Sequence, residues 1–428
     1  MNKKVAAFLL KHNFPINQDI NSVVDSLLFD MNEGLCNRPS GQDMIKTYSE
    51  PPLDSPRNKS VISIDAGGTN FRSCLVTFDQ NGLPTINDMQ KTKMPGVEKE
   101  LSKKEFFDAF ALNLEHLKDK ASNIGFCFSY PMTITEDGDG CLLGFSKEVK
   151  APEVVGCHIG KELALALKEH GWKNELKISM LNDTSAALLA GAACVPEGTK
   201  YSSYIGFILG TGMNGAYIQS PDEKYPELKK QIIVCESGRF DKVMQADFDI
   251  AFDKKSSQPK TSLMEKLCSG AYLGPVAYEA ISLACEDNLF SKKFTDALKT
   301  VDSLTLIEVD QFLHSPFGSS MLSNLLKENA TEEDYVIFTE LLDALTDRAS
   351  RMAASILSAC AIQSGEGKNP CKPICMLCDG TTFYKTYKVK ERIISYLEQF
   401  LVRERGIYYE VVSCDNDITL GSAIAGLI

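Results

Sequence analysis

Residues 61–78, VISIDAGGTNFRSCLVTF, consist of two apolar runs rich in β-branched residues, joined by a polar turn. The turn contains two adjacent glycines followed by a hydroxyl and an amide side chain: Gly67, Gly68, Thr69 and Asn70. Adjacent glycines allow positive φ angles and let backbone N–H groups approach an anion, and the Thr69 hydroxyl adds a donor. The stretch therefore predicts a β-hairpin that holds a phosphate group, with Asp65 facing the metal ion that accompanies a nucleotide.

Composition and charge restrict the class of protein. The chain has 428 residues, 44% of them hydrophobic, which is enough for one large domain or two smaller ones. The formal net charge of -12 argues against a nucleic-acid partner. No apolar stretch has the length of a membrane span, and the 14 cysteines follow no disulfide framework. We therefore expect a cytoplasmic protein with free thiols and neither a membrane nor a nucleic-acid partner.

The periodicity of apolar residues predicts the same order of elements twice. In the first half the order is βββαβα with a further strand, and the predicted strands are residues 61–65, 71–78, 86–94, 124–128 and 177–181. The order restarts in the second half, where the predicted strands are residues 204–209, 216–219, a run ending near 235, 373–378 and 408–412. Two half-chains with one plan predict an α/β fold of two βββαβα-type domains that face each other across a cleft.

This repetition suggests domain boundaries. We assign residues 1–59 to an N-terminal helical segment that packs on the large domain, 60–182 to a small domain and 183–428 to the large domain, leaving the final helix open. Within the first segment, Asp19 is the predicted N-cap of an amphipathic helix that ends at Gly34. The residues around Gly138 and Gly140 are expected to form a loop.

Two strand ends carry candidate chemistry. Residues 210–215 match the G-x-G-x-x-G dinucleotide fingerprint, but a strand rather than a helix is predicted to follow, so the structural context of that motif is missing. Asn182 and Asp183 stand between a strand and a helix, where α/β sheets expose reactive groups. An N-cap role for this pair explains the same position equally well, and both interpretations stay open on spacing alone.

Taken together, the motifs resemble those of the hexokinase family. The resemblance extends from Met44 to the end of the chain and rests on DAGGTNFR (65–72), GFCFSYP (125–131), LLGFSK (142–147), LNDT (181–184), GTGMN (210–214), Glu236, EKL (265–267) and CDGT (378–381). Each motif is weak by itself, whereas all of them in this order are specific. The resemblance implies an actin-like ATPase (ribonuclease H-like) fold that transfers the γ-phosphoryl group of MgATP to the 6-hydroxyl of a hexose, glucose first among them.

The resemblance also implies roles for individual residues. Asp183 would be the general base, with Lys147 and Arg72 as catalytic cations. The sugar would contact Ser129, Pro131, Ser146, Lys147, Asn182, Asp183, Asn214, Glu236 and Glu265. The nucleotide would contact Asp65, Gly67, Gly68, Thr69, Asn70, Gly210, Thr211, Gly212, Asp379, Gly380, Thr381 and Gly421. ATP and Mg²⁺ are the implied cosubstrate and cofactor, and Asp65 would hold the metal through water.

The sequence departs from the family pattern beside the nucleotide site. Pro275 stands where the family often has a glutamate, and Leu420, Gly421 and Ser422 lack the usual basic residue. A catalytically weak sugar sensor on the same fold is therefore the alternative function, and an actin-like ATPase without a sugar site is a third. Small-molecule substrates are the expected partners, and the chain is expected to be a monomer or a homodimer.

Overall fold

The computed structural model describes residues 1–52, 56–145, 149–196, 198–221, 225–226 and 228–428. Its strands are β1 Ile45–Lys46, β2 Lys59–Gly67, β3 Asn70–Phe78, β4 Pro84–Lys93, β5 Asn123–Phe128, β6 Met132–Ile134, β7 Gly140–Leu142, β8 Lys177–Leu181, β9 Ser203–Leu209, β10 Met213–Gln219, β11 Gln231–Val234, β12 Ile374–Asp379 and β13 Tyr409–Val412.

The α-helices surround these strands. They are α1 Lys3–Lys11, α2 Ile20–Leu35, α3 Lys103–Asn113, α4 Ile159–Glu169, α5 Asp183–Ala193, α6 Asp247–Lys255, α7 Leu263–Cys268, α8 Gly270–Glu286, α9 Lys292–Leu298, α10 Leu306–His314, α11 Met321–Asn329, α12 Glu332–Ser364, α13 Thr381–Lys385, α14 Val389–Leu397 and α15 Asp417–Leu427. Within the described residues, no helix combines the length and the apolar character that crossing a bilayer requires.

Two sheets share one topology. The five-stranded sheet has the order β4-β3-β2-β5-β8, and the six-stranded sheet has the order β1-β11-β10-β9-β12-β13. When β1 and the separate β6–β7 hairpin are left out of the count, each sheet has the order third, second, first, fourth and fifth strand of its half-chain. The first three strands are antiparallel and the rest are parallel. The predicted duplication of the βββαβα plan is confirmed.

Hydrophobic side chains in the central strands explain why these runs form sheets. In β2, Val61, Ile62 and Ile64 are all fully buried, because this strand has neighbours on both edges and helices over both faces. A cluster of phenylalanines covers one face of the five-stranded sheet, where Phe106 and Phe110 of α3 lie with their ring centroids 4.6 Å apart.

Two local predictions were wrong, and one short strand was not predicted. The expected loop around Gly138 and Gly140 contains the antiparallel hairpin of β6 and β7, whose strands are too short to show alternation. Helix α2 continues one residue past Gly34, although Asp19 caps its start as predicted. Strand β1 pairs with β11 over only two residues, a length that periodicity does not detect. Each difference concerns either a strand of two or three residues or the end of a helix.

Helices α5 and α15 lie between the two sheets. Helix α5 packs on the six-stranded sheet, whereas α15 packs on β2 and β5 of the other sheet and crosses α5. Backbones meet closely here: a Cβ atom on Gly421 would lie 1.8 Å from the Ala186 carbonyl oxygen, and one on Gly125 would lie 1.6 Å from that of Ser422. The final helix, left open by the sequence, therefore lies with the five-stranded sheet.

The N-terminal segment packs against the helices of the second half-chain. Helix α2 contacts α12, and α1 contributes Val5, Phe8 and Leu9 to a core formed mainly by α8 to α12. After α1, the two ring nitrogens of the buried His12 lie 3.0 Å and 2.8 Å from carboxylate oxygens of Asp247 and Asp287. These contacts attach the segment to the residues that follow 183.

Candidate active site

Four aspartates lie where strands of the two sheets end at the cleft. Asp65 lies near the C-terminal end of β2, and Asp379 is the last residue of β12. Asp183 follows β8, and Asp417 follows β13. The carboxyl ends of neighbouring parallel strands meet at one edge of a sheet, which is where α/β folds place their ligands. Negative charge from Asp65 and Asp379 acts on Asp183, so both sheets contribute to the same electrostatic environment.

Asp183 is the first residue of α5. Burial raises the pKa of its carboxyl group above the usual range, and the charges of Asp65 and Asp379 raise it further. Its Oδ1 accepts hydrogen bonds from the backbone N–H and the hydroxyl of Thr184, at 2.7 Å and 3.1 Å. The cap itself is Asn182, whose Oδ1 accepts from the Ser185 N–H at 2.9 Å. The capping interpretation thus applies to Asn182, and the neighbouring carboxylate remains available for chemistry.

The hairpin of β2 and β3 presents the predicted phosphate turn. Asp65 and Arg72 are opposite each other in the register, and Arg72 Nη1 donates to Asp65 Oδ2 at 2.8 Å. Burial raises the pKa of Asp65, while Arg72 counteracts this shift. Gly68 has a positive φ of 56°, and Thr69 is exposed at the tip. Gly67 allows a close approach, since a Cβ there would lie 2.9 Å from Ser129 Cβ.

Asn214, Glu236 and Glu265 lie near one another on the six-stranded side. Asn214 Nδ2 donates to Glu236 Oε1 at 3.0 Å, and the Met213 N–H donates to Glu265 Oε2 at 3.0 Å. Burial raises the pKa of Glu236 to about 7, and the negative charge of Asp183 contributes. Glu236 also has a left-handed backbone (φ 54°), which is uncommon for a side chain of this size and marks a position fixed by its surroundings.

The second glycine turn packs against two other chain segments. The Gly210 carbonyl oxygen accepts from the Gly270 N–H at 2.8 Å and from the buried Thr382 hydroxyl at 2.9 Å. Gly380 has a φ of 114°, and a Cβ there would lie 2.2 Å from the Leu209 carbonyl oxygen. The turns around 210 and 380 therefore form one surface, from which Thr211 and Thr381 are exposed.

The remaining predicted site residues have different placements. Ser146 and Lys147 lie outside the described residues. Ser129 is half-buried and Pro131 is exposed. Asn70 Nδ2 lies 3.5 Å from the Thr69 hydroxyl.

Gly421 lies where two helices cross. This glycine is buried at the crossing of α5 and α15, where its missing side chain allows the helices to touch, so its role is in helix packing. Ser422 is buried too, and its hydroxyl donates to the Ile418 carbonyl oxygen at 2.6 Å. A contact of Gly421 with the nucleotide stays a prediction. The departure from the family pattern at Ser422 lies inside the protein.

Asp417 was missed by the sequence analysis. It is 9% exposed and its Oδ1 accepts from the Ile418 N–H at 2.8 Å. Burial and the charge of Asp379 raise its pKa to about 6. The signal was available, because Asp417 follows a strand and begins a helix, as Asp183 does.

Comparison with known proteins identifies the family. Two family models, both described as hexokinase, match residues 8–193 and 204–428. The chain belongs to the hexokinase family. A curated relative, Hexokinase-1 of Schizosaccharomyces pombe, is 27% identical over an alignment that covers 98% of this chain and 90% of that protein. Glucokinase-1 of Kluyveromyces lactis is 27% identical, with 76% of this chain and 75% of that protein covered.

Solved structures agree on the fold of this hexokinase family member. The hexokinase of Schistosoma mansoni, solved in complex with glucose, superposes with a TM-score of 0.76 at 22% identity, covering 100% of this chain and 99% of that one. A second hexokinase crystal structure gives a TM-score of 0.80 at 20% identity, with both chains fully covered. The actin-like ATPase fold expected from the sequence is confirmed.

Proposed function

We propose that the protein is a hexokinase that transfers the γ-phosphoryl group of MgATP to the 6-hydroxyl of a hexose, with glucose as the first candidate. The observation that carries the proposal is the position of Asp183 between the phosphate hairpin of one sheet and the polar residues of the other. The negative charge of Asp183 raises the pKa of Glu236, and the charges of Asp65 and Asp379 raise the pKa of Asp183. These interactions support a site in which Asp183 serves as the base between the β2–β3 hairpin and Glu236.

Asp183 acts as the general base in this proposal. Within the described residues, Thr184 donates both of its hydrogen bonds to Oδ1, so Oδ2 is the oxygen that can accept the proton of the sugar hydroxyl. The raised pKa of the carboxyl group makes it a better proton acceptor than an exposed aspartate. General-base assistance typically contributes a factor of about 10² to 10⁴ in rate.

Sugar recognition rests on side chains that hold their acceptors and donors in fixed directions. A hexose presents hydroxyls that each donate and accept, so fixed amides and carboxylates can distinguish its stereochemistry. We assign this role to Ser129, Ser146, Lys147, Asn182, Asn214, Glu236 and Glu265, with Pro131 as an apolar contact beside Ser129. The Asn214–Glu236 hydrogen bond supports the assignment, because it fixes one donor and one carboxylate relative to each other.

The nucleotide side fits Mg²⁺ bound largely through phosphate oxygens. Within the described residues, no group of three or more ligating side chains is placed to hold a metal. Mg²⁺ in kinases is commonly held by one or two carboxylates together with substrate phosphates, and Asp65 suits that arrangement. When bound, Mg²⁺ neutralises charge on the phosphates. Arg72 holds the Asp65 carboxylate in place, and the turns at Thr69, Thr211 and Thr381 offer hydroxyl and N–H donors.

The experiment is a panel assay on one purified preparation. ADP release from MgATP is followed with glucose, mannose, fructose and 6-deoxyglucose, and binding of each sugar is followed by thermal shift. We expect turnover with hexoses that have a free 6-hydroxyl and none with 6-deoxyglucose. Sugar-induced stabilisation without turnover would favour the sensor, and neither response would favour an ATPase without a sugar site.

A further inference from the structure

Two functional segments leave the five-stranded sheet side by side. The phosphate turn follows β2, the segment containing Ser129 and Pro131 follows β5, and these parallel strands are paired with Ala66 opposite Phe128. The Ser129 N–H donates to the Ala66 carbonyl oxygen at 3.0 Å, which continues the pairing past the end of β5. The phosphate turn and the sugar segment are therefore in direct contact.

One side chain adds a specific link between them. The Tyr130 hydroxyl donates to the Gly68 carbonyl oxygen at 3.0 Å. The Tyr130 ring is 4% exposed, and its centroid lies 4.8 Å from that of Phe128 and 5.2 Å from that of Phe145. Because aromatic neighbours hold this ring, its hydroxyl occupies a fixed position.

The residue that accepts this hydrogen bond, Gly68, lies in an open part of the turn. Gly68 has a positive φ, it is exposed, and a Cβ atom built on it would meet no atom of the described residues within 4 Å. The next carbonyl along the turn, that of Thr69, accepts from the Met94 N–H at 3.0 Å. Glycine lacks a Cβ that would restrict its backbone, so a hydrogen bond to its carbonyl helps to set the orientation of the peptide plane.

Peptide geometry connects this bond to phosphate binding. In a planar trans peptide, the carbonyl of Gly68 and the N–H of Thr69 point in opposite directions. The carbonyl points at the buried Tyr130, so the Thr69 N–H points to the open side of the turn, where an anion would lie. We propose that Tyr130 is a positioning residue. Its hydroxyl orients the Gly68–Thr69 peptide so that the Thr69 N–H binds a phosphate of the nucleotide. This inference rests on the proposed function, because it assumes that the turn binds nucleotide.

The test replaces the hydroxyl alone. Tyr130→Phe keeps the ring and its packing, and a matched control is Tyr409→Phe, whose hydroxyl donates to the Ile394 carbonyl oxygen at 3.2 Å. Affinity for Mg²⁺ adenylyl imidodiphosphate and for glucose is measured by calorimetry, and KM and kcat are measured with MgATP. We expect Tyr130→Phe to weaken nucleotide affinity and raise the KM for MgATP about fivefold, with glucose affinity unchanged, since a lost neutral hydrogen bond has roughly that effect.

The possible outcomes separate the two proposals. Nucleotide affinity within twofold of wild type would overturn the role of Tyr130, as would an equal loss of glucose and nucleotide affinity. A similar nucleotide effect in Tyr409→Phe would also overturn it. Because the titration needs no turnover, a wild type that binds the analogue without phosphorylating hexose would contradict the proposed function while still testing Tyr130. A wild type that binds no nucleotide would overturn both.

Discussion

The side-chain amide of Asn214 joins Glu236 to the backbone around it. Its Nδ2 donates to Glu236 Oε1 at 3.0 Å, and its Oδ1 accepts from the N–H groups of Gly215 and Ser237, at 2.8 Å and 3.2 Å. The carboxylate of Glu236 is thus held by a side chain that is fixed at its other end. Such an arrangement suits recognition of a hydroxyl in one direction.

The pH dependence of hexose binding follows from the pKa of Glu236, which burial raises to about 7. Above this pH the ionised carboxylate accepts hydrogen bonds from sugar hydroxyls, and below it the protonated group is a weaker acceptor. We expect the Kd for glucose to rise up to about tenfold from pH 8 to pH 6 in the wild type. Glu236→Gln should bind more weakly at pH 8 with a flat profile in calorimetry. A wild-type profile as flat as that of the variant would contradict this role.

Asp417→Asn is expected to stabilise the protein at neutral pH. Burial raises the pKa of Asp417 from 3.8 to about 6, so the folded state favours the protonated form and loses stability as the pH rises through that range. Asparagine keeps an acceptor for the Ile418 N–H without the charge. We expect the free energy of unfolding to increase by up to about 3 kcal/mol at pH 7.5, with the gain vanishing near pH 4. A loss of stability of equal size at both pH values would argue against a buried charge.

Gly421→Ala is expected to disturb the crossing of α5 and α15. The added Cβ would lie 1.8 Å from the Ala186 carbonyl oxygen, so the helices must separate. We expect thermal or denaturant unfolding to show a loss of at least about 2 kcal/mol. The control is Gly144→Ala, because a Cβ at Gly144 meets no atom within 4 Å in the part of the chain that the structure describes. Equal stability of the two variants would exclude a packing role for Gly421.

Hexose alone is expected to compact the molecule. Closure of the cleft would keep water from competing with the sugar hydroxyl for the phosphoryl group. The α5–α15 pair lies between the two sheets, so it is where a change in their relative orientation would be accommodated. Small-angle scattering should show a smaller radius of gyration with saturating glucose than without it. Identical curves would count against closure.

The sequence predicted the parts of the fold that periodicity and turn chemistry determine. Strands β2 and β3 around the adjacent glycines were predicted because long apolar runs and a glycine turn leave few alternatives. Short elements such as β1 and the β6–β7 hairpin carry too few residues for a period to appear. Family motifs predict roles for Asp183 and Glu236, and these stay predictions. The burial of Gly421 depends on which helix crosses it, and a local motif does not contain that information.

The same limit applies to the missed site features. Asp417 occupies a strand-to-helix junction, a signal that was present, but its proximity to Asp65 and Asp183 depends on how α15 returns to the five-stranded sheet. The bond from Tyr130 to Gly68 likewise links residues 62 positions apart. Long-range packing brings these groups together, and it is the property that a single sequence encodes least directly.

The most direct test of the central claim compares Asp183→Ala with the wild type. The control is Asp19→Ala, which removes another aspartate that accepts backbone N–H groups at the start of a helix. We expect kcat of Asp183→Ala for glucose phosphorylation to fall by about 10²-fold or more, while glucose still raises its melting temperature and Asp19→Ala stays active. Turnover of Asp183→Ala close to that of the wild type would contradict the claim that Asp183 is the base.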